Sequence, residues 1–194
     1  MAHHIYQLEC FIIGSRLSGD TSRVYYLLTP NLGLIAAKAQ AVREIKSKLR
    51  YHLTSYSFAR VSLVRGKETW RLVGAESDYP RYSDYRSLDE RRVVARMAKF
   101  LYSMIHGEEA DHCLFELIAG AINFMVKEKL TENHLKNLEV LTILRAMRLL
   151  GYQKELPELE NFVVGTDLSI ETLANFEPWC ERATGELNDH FAKR

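Results

Sequence analysis

The 194-residue chain, 47% hydrophobic and 26% charged, has the composition of a soluble globular protein and is long enough for one large or two small domains with a proper core. Its net charge of +1 excludes a uniformly basic or acidic protein, but residues 1–72 carry 11 Lys+Arg against 4 Asp+Glu, leaving 15 against 21 in residues 73–194: a front of +7 precedes a back of −6. Three scattered cysteines (Cys10, Cys113, Cys180) offer no disulfide framework, and with no secretory leader pattern and no run of about 18 apolar residues to span a bilayer, a soluble cytoplasmic protein without membrane contact is expected.

Residues 5–13 are rich in β-branched and aromatic types, and the turn formers Gly14, Ser15, Ser18, Gly19 and Asp20 place the end of a first strand there. A second strand is predicted over Arg23–Thr29, closed by Pro30-Asn31-Leu32-Gly33. From Gly33, Ile35, Ala37, Ala39 and Ala41 share one face at period two, with Lys38, Gln40 and Val42 on the other. Such small side chains suit the inside of a small barrel. The strand then delivers a cationic arm, in which Arg43, Lys46, Lys48 and Arg50 fall within eight residues and are opposed only by Glu44. Four such charges could neutralise several phosphates, although a short basic run is more often a solvated loop.

A fourth strand over Tyr56–Arg65 alternates Ala59, Val61 and Leu63 against Tyr56, Phe58 and Arg60. Gly66-Lys67 turns the chain into a fifth strand, Glu68–Ala75. Five short strands, with the long connection between the third and fourth, predict a closed barrel of the OB type; spacing alone also admits an SH3-like barrel. The segment from Ser77 to Ser87 is polar, tyrosine-rich and broken by Pro80, which divides the chain into a barrel domain (1–80) and a helical domain (81–194) of an α+β protein.

Ser87-Leu-Asp-Glu90 is a capping box opening a helix to about Ile105, striped by Val93, Val94, Met97, Phe100, Leu101 and Met104. His106-Gly107 stops it. Asp111 caps a second helix to about Lys129, and a third spans about Asn133 to Leu150 with Gly151 as its stop, completing a helical bundle. Tyr152–Asp167 reads as irregular. Ser169–Asn175 is predicted as a short helix, and Pro178 as the first turn of a last one carrying Trp179, Ala183, Leu187 and Phe191.

Catalytic constellations are missing from this pattern: there is no Walker loop, G-x-G-x-x-G, G-x-S-x-G or H-E-x-x-H. The run His106 to Cys113 holds metal-ligand types but crosses a helix break, so neither a metal nor another cofactor is expected, and no enzyme. Nucleic acid is the more coherent reading. Tyr56 and Phe58 beside Arg60 could stack bases on an open sheet face, or could equally be core beneath the helices. Arg65, Lys67 and Arg71 add charge around the next turn.

Phe11-Ile-Ile, Gly19-Asp-Thr-Ser-Arg-Val-Tyr-Tyr-Leu-Leu-Thr29, Gly33-Leu-Ile-Ala-Ala, Lys46-Ser-Lys-Leu49, Ser57–Lys67 and Trp70–Glu76 form an ordered series that resembles the N-terminal barrel of the bacterial recombination mediator family RecO. Leu114-Phe-Glu-Leu and Leu149-Leu-Gly-Tyr152 extend the resemblance into the helical part. The resemblance implies an OB barrel followed by a helical domain in a non-enzymatic, nucleoid-associated protein, here expected as a monomer. It implies binding of single- and double-stranded DNA, annealing of complementary strands, displacement of single-strand-binding protein and, with RecR, loading of the RecA recombinase at gaps. The strand and arm from Lys38 to Arg50 correspond to that family's DNA-binding surface. Two departures stand out. Many relatives carry a four-cysteine zinc module after the Leu-Gly-Tyr segment, whereas Gln153–Ser169 contains no cysteine; and a glycine common before the arm is Ala41 here. The chain is also short for the family. The alternative is a protein-interaction adaptor with little DNA affinity, favoured by the acidic helical half and its tyrosine-rich join.

Overall fold

The computed structural model describes residues 4–192 other than 68, 79, 106 and 153–156, and the side chains of 189–192 are also outside the description. Five strands, β1 (Ile5–Ser18), β2 (Ser22–Thr29), β3 (Gly33–Ala39), β4 (Phe58–Arg65) and β5 (Trp70–Ser77), close into a barrel in the order β1-β2-β3-β5-β4. β3 runs parallel to β5, and β1 closes the ring by pairing antiparallel with β4. This is the OB arrangement, and it sets aside the SH3-like alternative.

Alternation places Cys10, Ile12, Tyr25, Leu27, Ile35, Ala37, Ala39, Ala59, Val61, Leu63, Trp70 and Leu72 inside the barrel. The three small alanines leave room for Tyr25 and Trp70. Burial there pushes the Cys10 thiol well above its ordinary pKa. β1 does not end at Gly14 as the turn-forming residues predicted. The register instead slips between Ile12 and Gly14, a bulge that lets the strand run on to Ser18.

Five helices follow: α1 (Leu88–Met104), α2 (His112–Lys127), α3 (Glu132–Leu149), α4 (Glu160–Val164) and α5 (Ile170–Ala192). The Ser87 hydroxyl accepts from Glu90 N–H, while the Glu90 carboxylate accepts from Arg86 N–H, so the capping box closes one residue upstream of its usual partner. The Arg86 side chain donates to the carbonyls of Val126, Lys127 and Glu128, satisfying the end of α2 from the start of α1. Asp111 and Thr131 cap α2 and α3. Past α3, Gly151 takes φ +73, so that Gly151 N–H reaches Arg148 C=O and Tyr152 N–H reaches Met147 C=O, a Schellman ending.

The expected break at Pro178 is absent: residues 170–192 are one helix with the proline inside. Packing overrides the local preference, because Leu173, Phe176, Cys180, Ala183 and Leu187 on both sides of Pro178 are all buried against the same core. Phe191, assigned to this stripe by its spacing, lies among the side chains outside the description. The link before α5 is partly ordered as α4, held by the buried Arg145, whose Nε donates to Phe162 C=O (2.9 Å) and Nη2 to Asp167 C=O (3.0 Å).

The helices do not form a separate core. The larger cluster contains the helical stripes and also Phe11, Ile13, Leu28 and Phe58 from the outer face of the barrel. Gly33, at φ +64, meets the Glu109 backbone so closely that a Cβ would overlap its carbonyl.

Candidate nucleic-acid interface

The arm leaves β3 through a bend. Ala41 adopts φ +52, the left-handed region that favours glycine, at the position where the family resemblance places one. Beyond it the Arg43 N–H donates to Thr21 C=O (3.0 Å) and its guanidinium donates to Asp20 C=O (2.6 Å), tying the arm to the β1–β2 turn. A short 3-10 turn spans Leu49–Tyr51. Because β3 ends at Ala39, the predicted alternation stops there. Val42 points into the barrel with Leu53, and Leu49 packs against the same interior. With these three apolar side chains turned inward, Arg43, Lys46, Lys48 and Arg50 remain on the surface.

A second set of cations lies across the strands. Register aligns Arg16 with Val24, Val24 with Lys38, and Lys38 with Arg71 on four adjacent strands, β1-β2-β3-β5. Neighbouring strands are about 4.8 Å apart, so Lys38 stands about 5 Å from Arg71 and about 10 Å from Arg16 in one row across the barrel exterior. Among the described residues, Arg16, Lys38, Arg43, Lys46, Lys48, Arg50 and Arg71 form no ion pair with a carboxylate. Arg16 went unrecognised in the sequence because it follows the apparent turn at Gly14-Ser15, and only the bulge carries the strand far enough to add it.

Several predicted residues belong elsewhere. Phe58 is 8% exposed, its ring against Phe11 at 5.1 Å and Phe115 of α2 at 6.2 Å, so it is not a surface for stacking bases. The period-two face was assigned correctly; the helices cover it. Tyr56 precedes β4 rather than belonging to it, at φ +67 and half-buried against the larger core. Its N–H donates to Ile12 C=O (2.7 Å) and its C=O accepts from the Tyr85 hydroxyl, so it joins the barrel to the segment before α1 instead of facing solvent.

Arg60 lies 3.5 Å from Glu9 and 3.7 Å from Asp78, two carboxylates of the protein itself. Arg65 pairs with Glu108 and rests over the Trp70 ring at 4.6 Å, while Trp70 Nε1 donates to the same carboxylate. These contacts hold the β4–β5 turn, including the exposed Lys67, against the α1–α2 loop. That loop touches the start of β3 at Gly33, and Trp70, which its Glu108 binds, aligns with Ala37, two residues before the arm leaves β3. By ion pairing the predicted cations separate into an open group, comprising the arm with Lys38 and Arg71, and the pair Arg60 and Arg65, answered by the molecule's own acids, while Lys67 is exposed on the β4–β5 turn with no ion pair among the described residues.

The candidate metal run spans the α1–α2 loop, with His106 outside the described residues. Among the described residues, no three His, Cys, Asp or Glu side chains gather as metal ligands, and no helix is long and apolar enough to cross a membrane.

No model of a known protein family matches the chain. Curated relatives do. The chain is 28% identical over 158 residues to DNA repair protein RecO of Dehalococcoides mccartyi (strain CBDB1), covering 81% of this chain and 61% of that protein. It is 24% identical over 157 residues to DNA repair protein RecO of Alkaliphilus metalliredigens, covering 80% and 61% respectively. A third relative, DNA repair protein RecO of Thermodesulfovibrio yellowstonii, is 23% identical over 158 residues, covering 80% and 60%. The chain therefore spans about three-fifths of the length of the relatives it matches.

Proposed function

Since the chain belongs to the RecO family, we propose that it acts in DNA repair as a recombination mediator, binding single- and double-stranded DNA without sequence specificity. It brings complementary strands together for annealing and helps a recombinase load at gaps, in company with a RecR-like protein and single-strand-binding protein. The observation that carries this reading is the group of cations Arg16, Lys38, Arg43, Lys46, Lys48, Arg50 and Arg71, none paired with a carboxylate among the described residues.

The mechanism is electrostatic. Two DNA strands brought close repel through their phosphates; fixed cations on the barrel lower that repulsion and release condensed counterions. Contacts to phosphates alone fix position but read no sequence, so any complementary partner can be accepted. Base pairing supplies the rest of the driving force, and no covalent step is needed.

The test is a titration of the protein with a single-stranded oligonucleotide at a series of salt concentrations. Affinity should fall steeply and log-linearly as salt rises. Absence of binding at low salt, or binding indifferent to salt, would reject the reading and leave the barrel as a docking module for proteins.

A further inference from the structure

Tyr51 is the one described aromatic residue of the arm between Ala39 and Phe58 whose ring is mainly open, with 66% of the residue exposed. Its backbone is nonetheless firmly placed. Leu49 on one side packs on the barrel interior and Leu53 on the other is buried in it. Between them, His52 is fixed to β5: its Nδ1 accepts from Ser77 N–H at 3.2 Å and lies 2.9 Å from the Ser77 hydroxyl. Tyr51 N–H donates to Lys48 C=O at 3.4 Å, closing the 3-10 turn. The guanidinium of Arg50 sits over the ring, 4.8 Å from its centroid.

We infer that Tyr51 is a base-stacking platform through which the arm recognises unpaired strands. This rests on the reading of the arm as a DNA surface and adds to it a way of telling bases from bare phosphates. A flat ring on a pinned backbone, amid Lys46, Lys48 and Arg50, offers a π-face to a nucleobase while the neighbouring charges hold the phosphates on either side. In a duplex the bases are already stacked on one another and cannot reach a ring outside the helix, so the contact is reserved for single strands and for the unpaired partner awaiting annealing. The ring that was sought on β4 at Tyr56 and Phe58 is thus supplied by the loop before it.

The experiment compares oligothymidine with a strand of the same length and charge built from abasic residues. The wild-type protein should bind the base-bearing strand roughly tenfold more tightly, within the range of a single stacked base. Tyr51→Ala should bring the two affinities together by weakening binding to oligothymidine alone, and Tyr51→Phe should preserve the difference. If the wild-type protein binds both strands equally, or if Tyr51→Ala keeps the preference, the stacking role is wrong while the electrostatic reading stands. If neither strand binds at low salt, both fall together.

Discussion

Two parts of the barrel's outer surface, built from the same strands, have met opposite fates. Along β2 the outward side chains run Leu28, Tyr26, Val24. Leu28 is buried under the helices, Tyr26 is half-buried with its ring 4.8 Å from Tyr102 of α1, and Val24 sits in the row with Arg16, Lys38 and Arg71. Within five residues the surface passes from shared core to open cationic ground. Where helices cover the barrel its exterior is apolar, and where the α1–α2 loop approaches, Arg65 is answered by Glu108. Where no described helix or loop covers it, the cations stand without acidic partners among the described residues. The proposed binding of a polyanion depends on the acidic helical half leaving this second surface un-neutralised.

The contrast can be broken from either side. On the covered side, Phe58→Ala removes a ring packed against Phe11 and Phe115 and should cost about 3–5 kcal/mol of stability, read as a lowered denaturant midpoint. DNA affinity of the fraction that remains folded should be unchanged. On the open side, replacing Arg43, Lys46, Lys48 and Arg50 together by Ala should weaken single-strand binding at least about tenfold at low salt and reduce the salt slope by up to about 3, at 0.7 per phosphate contact. The unfolding midpoint should fall only by the loss of the exposed Arg43–Asp20 hydrogen bond, about 1 kcal/mol. As the control for both, Arg65→Ala should change DNA affinity less than about twofold, because that guanidinium already faces Glu108; a larger loss would place the β4–β5 turn within the interface.

The smallest effect sharpens the comparison at the bend. Ala41 at φ +52 carries a left-handed penalty of about 1–2 kcal/mol, and glycine there costs about 0.4–1 kcal/mol more entropy on folding. Ala41→Gly should therefore stabilise the protein by about 0.5 kcal/mol, visible in the thermal midpoint, while leaving DNA affinity intact. Destabilisation would mean that the Ala41 methyl makes packing contacts worth more than the strain.

Local chemistry was readable wherever one residue decides it. Ser87, Asp111 and Gly151 announced helix ends, and the alternation through Ala59, Val61 and Leu63 announced which side of β4 faces inward. The strand that closes the ring was harder, since nothing in β5 itself says that it pairs in parallel with β3. Three errors share one cause, the dependence of a local signal on distant packing. Gly14 and Ser15 looked like a turn but form a bulge within a continuous strand, and Pro178 looked like a start but lies inside α5. Arg60 and Arg65 looked free, yet their carboxylates come from Glu9, Asp78 and Glu108, residues up to 51 positions away in the sequence. Phe58 was placed on the correct face, but periodicity cannot say what will lie over that face.

The same side chains that fill one end of the barrel, Val42 and Leu53, are the two roots of the arm. The loop is therefore organised in the act of folding, and its conformational entropy is surrendered once rather than at every encounter with a strand. In the proposed role, an incoming single strand is itself disordered, so rigidity on the protein's side would leave only one partner to be tamed: the arm would serve as a fixed rail, and the strand would do the moving.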